Sequence, residues 1–178
     1  MPVEVVDYDP DWAIWFDEIT EPIWDELRDY ISGIVHVGST SIEGMSAKPC
    51  IDIDIVVDDW EHFQKIVELL DTLGYHYIGN LGIEEREAFK YDTAKHRHNL
   101  YVCRKDSTAY RNHILLKKHL NENLDDFERY KELKMSLAET AVDIDDYCRK
   151  KTELILEFLE AEGVLEEEIE EIRAQNLF

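Results

Sequence analysis

The chain has 178 residues and carries 41 Asp and Glu against 19 Lys and Arg, a formal net charge of −22. That balance disfavours binding to a nucleic-acid backbone, which depends on neutralising phosphates with basic side chains. Hydrophobic residues make up 44% of the chain, enough for one domain with a proper core and no disulfide or metal staple. The three cysteines, Cys50, Cys103 and Cys148, are far apart and show no CxxC pairing, as expected of reduced thiols in a cytoplasmic protein. No apolar run approaches a membrane span, and Met1-Pro2-Val3-Glu4 does not open a signal peptide, so no membrane partner is expected. Acids occur on every segment, which favours a global adaptation such as a salty cytoplasm over a local binding patch.

Residues 11–31 place Trp12, Trp15, Phe16, Ile19, Ile23, Trp24, Leu27 and Ile31 at helical spacing. Asp9 or Asp11 is the cap, and Pro22 kinks or splits the helix. Residues 34–37 read as a short strand, 39–48 as a polar loop and 50–57 as a buried strand. Asp58 and Asp59 can cap a helix over 60–73, closed by Gly74. Strands are expected at 75–78 and 97–103, while 84–91 is either strand or irregular. The chain then turns helical, over 107–121, 124–141 and 144–162, with Gly163 as a stop. The acidic run beyond it predicts a solvated helix that docks weakly or frays. The whole is an α+β pattern. One domain is expected over residues 1–162, with its sheet in about 1–105 and its helical part in about 106–162, and an acidic C-terminal helix or tail over 163–178.

The chemistry concentrates between His36 and Ile55. Side chains alternate along a strand, so Asp52 and Asp54 share one face while Ile51, Ile53 and Ile55 take the other. Two adjacent carboxylates repel, and a divalent cation is the usual remedy. A Gly38-Ser39-Thr40 turn nearby can offer backbone N–H groups and hydroxyls to phosphate. The competing reading makes these acids two more solvent-facing carboxylates on an acidic chain. Basic side chains are scarce, so Lys48, Arg86, Arg111, Lys134 and Lys151 would make an anion site if gathered around one pocket. Each can equally pair with a neighbouring acid. His98 is a further pocket candidate, and His96-x-His98 shows no third metal ligand.

Gly38-Ser39 ahead of Asp52-x-Asp54 resembles the nucleotidyltransferase superfamily signature, and the string from His36 to Asp54 resembles the GrpB-like family within it. Gly82 to Phe89 with Arg86, Tyr110-Arg111-Asn112, Tyr130-x-x-x-Lys134 and Tyr147-x-x-x-Lys151 extend the resemblance from about Trp12 to Phe158. It implies a nucleotidyltransferase-like mixed sheet flanked by helices, with a C-terminal helical subdomain. It also implies Mg²⁺, with two ions possible, held by Asp52 and Asp54 as catalytic residues. Gly38, Ser39, Thr40, Lys48, Arg86, His98, Arg111, Lys134 and Lys151 would bind a nucleotide or another phosphorylated small molecule. Active relatives carry a third carboxylate on a later strand, whereas the matching strand here, Arg97-His98-Asn99-Leu100-Tyr101-Val102, has no acid. Glu84, Glu85 or Glu87 would have to substitute. The expected function is therefore either a Mg²⁺-dependent nucleotidyltransferase or a non-catalytic phosphate-binding module of the same fold. A third reading is an interaction protein that uses the acidic tail and helical part.

Overall fold

The computed structural model describes residues 3–175. Its elements follow the order α1 (Asp11–Leu27), β1 (Gly33–Val37), β2 (Ile51–Val57), α2 (Phe63–Thr72), β3 (Tyr75–Gly79), β4 (Arg86–Tyr91), β5 (His98–Arg104), α3 (Thr108–Glu122), α4 (Leu124–Thr140), α5 (Ile144–Ala161) and α6 (Glu166–Gln175). A single 3-10 turn, Ser39–Ser41, follows β1.

The strands form one sheet in the order β1-β2-β5-β4-β3. Only β2 and β5 run parallel, so the sheet is mixed. The open segment 84–91 resolves as β4, paired on one side with β3 and on the other with β5.

One face of the sheet packs on α1 and α2. Ile51, Ile53 and Ile55 are fully buried there with Leu100 and Val102, against Trp12, Ile19, Ile23 and Leu27. Each such side chain contributes about 1.5–3 kcal/mol on leaving water. The same stripe on α1 explains why Pro22 does not split the helix, which runs unbroken from Asp11 to Leu27. Asp9 holds its start, accepting from the backbone N–H of Asp11 at 2.9 Å.

The other face carries the helical part. Ser107 caps α3 and Asp143 caps α5, each accepting a backbone N–H three residues on, as the sequence suggests. These helices enclose a second core of Ile42, Met45, Leu116, Leu120, Tyr130, Phe158 and Leu159. The predicted loose tail is in fact part of that core. Ile169 and Ile172 of α6 are buried in it, and Glu168 pairs with Arg111 at 3.0 Å. Two apolar residues one turn apart are enough to dock a helix whose outer face is acidic. Residues 176–178 of the predicted tail lie outside the described residues.

Candidate functional site

Strand pairing sets the site. Val37 at the end of β1 lies opposite Asp52, so the turn after β1 passes directly over that carboxylate. Gly38 takes φ 71° and ψ −175°, a region open in practice only to glycine. A Cβ there would sit 2.4 Å from Asp52 Oδ2. Glycine is thus required twice, by backbone conformation and by close approach. Ser41 Oγ closes the turn onto the Gly38 carbonyl at 2.7 Å. Thr40 Oγ1 bonds His36 Nε2 at 2.9 Å. Burial, and then the Lys117 charge, push the His36 pKa down to about 4, so it serves as a neutral structural partner.

Asp52 and Asp54 share a face, as the alternation requires, but their environments differ. Asp52 borders a cavity of about 220 Å³ and accepts from Asn99 Nδ2 at 2.8 Å. Burial raises its pKa, against the Asn99 hydrogen bond. Asp54 is wholly buried and does not line the cavity. It is therefore not the solvent-facing acid of the competing reading. Its Oδ2 pairs with His113 Nδ1 at 2.6 Å, and its Oδ1 is buried with no hydrogen-bond partner among the described residues. Burial works against a charged His113, but the Asp54 carboxylate outweighs it by charge and hydrogen bond and raises the pKa above the ordinary 6.5. The stability this pair contributes is fully present below about pH 6.5 and is lost as pH rises through the raised folded value. NMR titration should therefore place the His113 midpoint above 6.5, and Asp54→Asn should bring it down because burial then lacks its main opponent.

Facing Asp52 across the cavity are basic side chains from three separate segments. Lys48 comes from the loop before β2, Lys134 from α4 and Lys151 from α5. Lys48 Nζ and Lys151 Nζ each lie 5.6 Å from the centroid of the Tyr147 ring. Lys134 Nζ lies 4.7 Å from that of Tyr130. Arg86 on β4 stacks over Tyr101 at 4.2 Å. The Tyr/Lys pairs of α4 and α5 are thus ring-and-ammonium pairs one helical turn apart. Lys134 is 1% exposed, and its Nζ has no hydrogen-bond partner among the described residues. Burial, then the charge of Lys151, drives its pKa well below the ordinary lysine value. Lys48 and Lys151 are lowered too, chiefly by burial. Ile42, Leu116, Leu120 and Ile155 give the cavity an apolar side.

Of the residues singled out from sequence, Gly38, Ser39, Thr40, Lys48, Asp52, Arg86, Lys134 and Lys151 meet at this cavity. Two do not. His98 is paired with Ile51, which puts it on the α1/α2 face of the sheet. There it bonds the Tyr75 hydroxyl at 2.8 Å and stacks on Tyr91. Arg111 lies on α3 but turns to Asn112 and Glu168. Sequence reasoning missed His113 and Lys117. Ala109, Leu116 and Leu120 mark the buried stripe of α3, and His113 falls on it at helical spacing. That position was the available signal.

The residues do not fit a two-ion magnesium centre. Magnesium requires hard oxygen donors at near-octahedral geometry. Here one carboxylate is committed to an imidazole and does not line the cavity, and the other faces three lysines. The neighbouring strand offers Asn99 and Tyr101 opposite Asp52 and Asp54. The substitutes are elsewhere: Glu84 is exposed, Glu85 pairs with Arg104, and Glu87 accepts from Tyr77 on the other face. Among the described residues no three His, Cys, Asp or Glu side chains are grouped to hold a metal.

Residues 2–161 match the family described as GrpB protein. The chain belongs to the GrpB family. It is 33% identical over 154 residues to the UPF0157 protein YqkA of Bacillus subtilis, covering 86% of this chain and 45% of that longer protein. It is 28% identical to the glutamate-rich protein GrpB of Alkalihalophilus pseudofirmus, over 88% of this chain and 94% of that one. The crystal structure of conserved protein GrpB from Enterococcus faecalis superposes with a TM-score of 0.77 at 26% identity, covering 90% of this chain and all of that one. The GrpB fold is nucleotidyltransferase-like, in keeping with the Gly38-Ser39 turn beside the Asp52-x-Asp54 strand. Among the described residues no helix is long and apolar enough to cross a membrane.

Proposed function

We propose that this GrpB-family protein binds a phosphorylated small molecule, such as a nucleotide or a sugar phosphate, in the cavity between the sheet and the α3–α5 helices. The carrying observation is Lys134. A buried ammonium without a hydrogen-bond partner is costly to the fold and is expected to be held for a ligand. Lys48, Lys151 and Arg86 gather at the same cavity on a chain of net charge −22, which is hard to explain as surface pairing. The apolar side formed by Ile42, Leu116 and Leu120 suits the non-phosphate part of the ligand. Nucleotidyl transfer by the carboxylate mechanism has less support, because Asn99 and Tyr101 stand where a third acid is needed.

Thermal denaturation with a panel of phosphorylated metabolites tests this reading. A ligand at a hundred times its Kd adds about 2.7 kcal/mol of stability. For a chain of this size that raises Tm by about 5–10 °C. Lys151→Met should weaken binding at least about tenfold, the loss of one charge-assisted contact. If no phosphorylated compound shifts the wild-type protein, the proposal is wrong.

A further inference from the structure

We infer that the site binds its phosphate group without a divalent cation, and that its ligand is a compact polyanion of the pyrophosphate type. This rests on the anion-binding reading above and goes further, naming the charge form and size of the ligand.

A metal-assisted nucleotide site needs carboxylates to hold the cation, which in turn offsets the phosphate charge. In this cavity fixed protein cations already take that place. Lys48 and Lys151 stand over the same Tyr147 ring and Lys134 lines the same cavity, so the three amino groups form one cluster. Arg86 adds a planar guanidinium from the sheet. His113 adds an imidazole backed by Asp54 at 2.6 Å, where a metal-bound aspartate would otherwise be free. A carboxylate already accepting from an imidazole has lost its best lone pair for a cation. Asp52 alone keeps a cavity-facing carboxylate, and Lys48, Lys117, Lys134 and Lys151 line the same cavity. An incoming Mg²⁺ would meet more positive charge than negative.

Size points the same way. The cavity of about 220 Å³ is smaller than the roughly 300–1,000 Å³ usual for drug-sized ligands. A nucleoside triphosphate with its metal shell exceeds it, whereas a pyrophosphate group, or a phosphate ester with a short apolar body, does not. Three lysines with freely rotating donors suit the several oxygens of such an anion better than one bidentate clamp.

Asp52 gives a test of sign. In a metal site Asp52→Asn removes a ligand and abolishes binding. In a metal-free site it removes a negative charge beside a bound anion, so binding tightens by about threefold. The substitution is isosteric and keeps the Asn99 contact and the clearance under Gly38 within reach of the same shape. Calorimetric titration of the full chain with sodium pyrophosphate would be run in EDTA and again with excess Mg²⁺, on wild type and Asp52→Asn. The expected result is binding in EDTA, weaker binding with Mg²⁺ because the ion neutralises the ligand, and tighter binding by the variant. Binding by the wild type only when Mg²⁺ is present overturns this inference but leaves the phosphate-binding reading standing. No heat with pyrophosphate in either buffer overturns this inference, and if the metabolite panel is also silent the broader reading falls with it.

Discussion

Gly38→Ala is expected to destabilise the protein by about 2–6 kcal/mol. About 1–3 kcal/mol comes from holding a non-glycine residue in this backbone region. A further 1–3 kcal/mol comes from overpacking, since the new methyl would stand 2.4 Å from Asp52 Oδ2. The clash has no cheap relief. Turning the carboxylate aside would give up its Asn99 hydrogen bond, and the Asp52 Cβ, 3.1 Å from the new methyl, is held by the pairing of β2 with β1 and β5. At about 2–4 °C per kcal/mol, the melting temperature should fall by roughly 10 °C. A loss of only one or two degrees would show that the turn can lift off the strand. The same variant should bind phosphate poorly, because Ser39 and Thr40 would move with the turn.

Lys134→Met should act in the opposite direction on stability and destroy binding. Methionine matches the length of the lysine stem and removes a buried charge whose Nζ lacks a hydrogen-bond partner among the described residues. Replacing buried ionic groups by apolar ones of similar volume stabilises by about 1–4 kcal/mol in known cases. The Tm should rise by several degrees and the phosphate-dependent shift should disappear. The sign with pH follows from linkage. Burial depresses the folded pKa of Lys134 below the 10.5 of the unfolded chain. Between those two values the unfolded state binds more protons, so the wild-type penalty shrinks as pH rises. The advantage of Lys134→Met should therefore be greatest below the depressed folded pKa and fade towards pH 10.5. A destabilised variant would mean that the ammonium is satisfied in solution, and the case for an anion site would lose its main support. Gain of stability with loss of binding is the pattern of a residue kept for function at a cost to the fold.

Local pattern carried much of the fold. The period of two at residues 51–55 and the helical spacings of α1, α3 and α5 are properties of short segments, so they can be read from neighbours in sequence. Pro22 does not split α1, because its local penalty of about 3 kcal/mol is outweighed by the packing of Ile19, Ile23 and Leu27. The tail misled for the same reason. Ile169 and Ile172 look like isolated apolar residues among glutamates until α3 and α5 present them with a surface.

By itself, the sequence determined that Gly38, Ser39, Asp52 and Asp54 belong to one constellation, and that Lys134 and Lys151 repeat a Tyr/Lys pair on two helices. These are relations along the chain, set by strand alternation and helical pitch. Only the tertiary structure decided what the constellation contains. Sheet pairing sent His98 to the far face, because residues one apart on a strand point opposite ways. The packing of α3 on β1 and β5 gave Asp54 to His113, and the packing of α4 and α5 put two lysines at the cavity that Asp52 borders. Contacts between residues some sixty to a hundred positions apart depend on how whole elements pack, and no local spacing encodes them. The paired aspartates thus mark the family, while the charges packed around them set the chemistry.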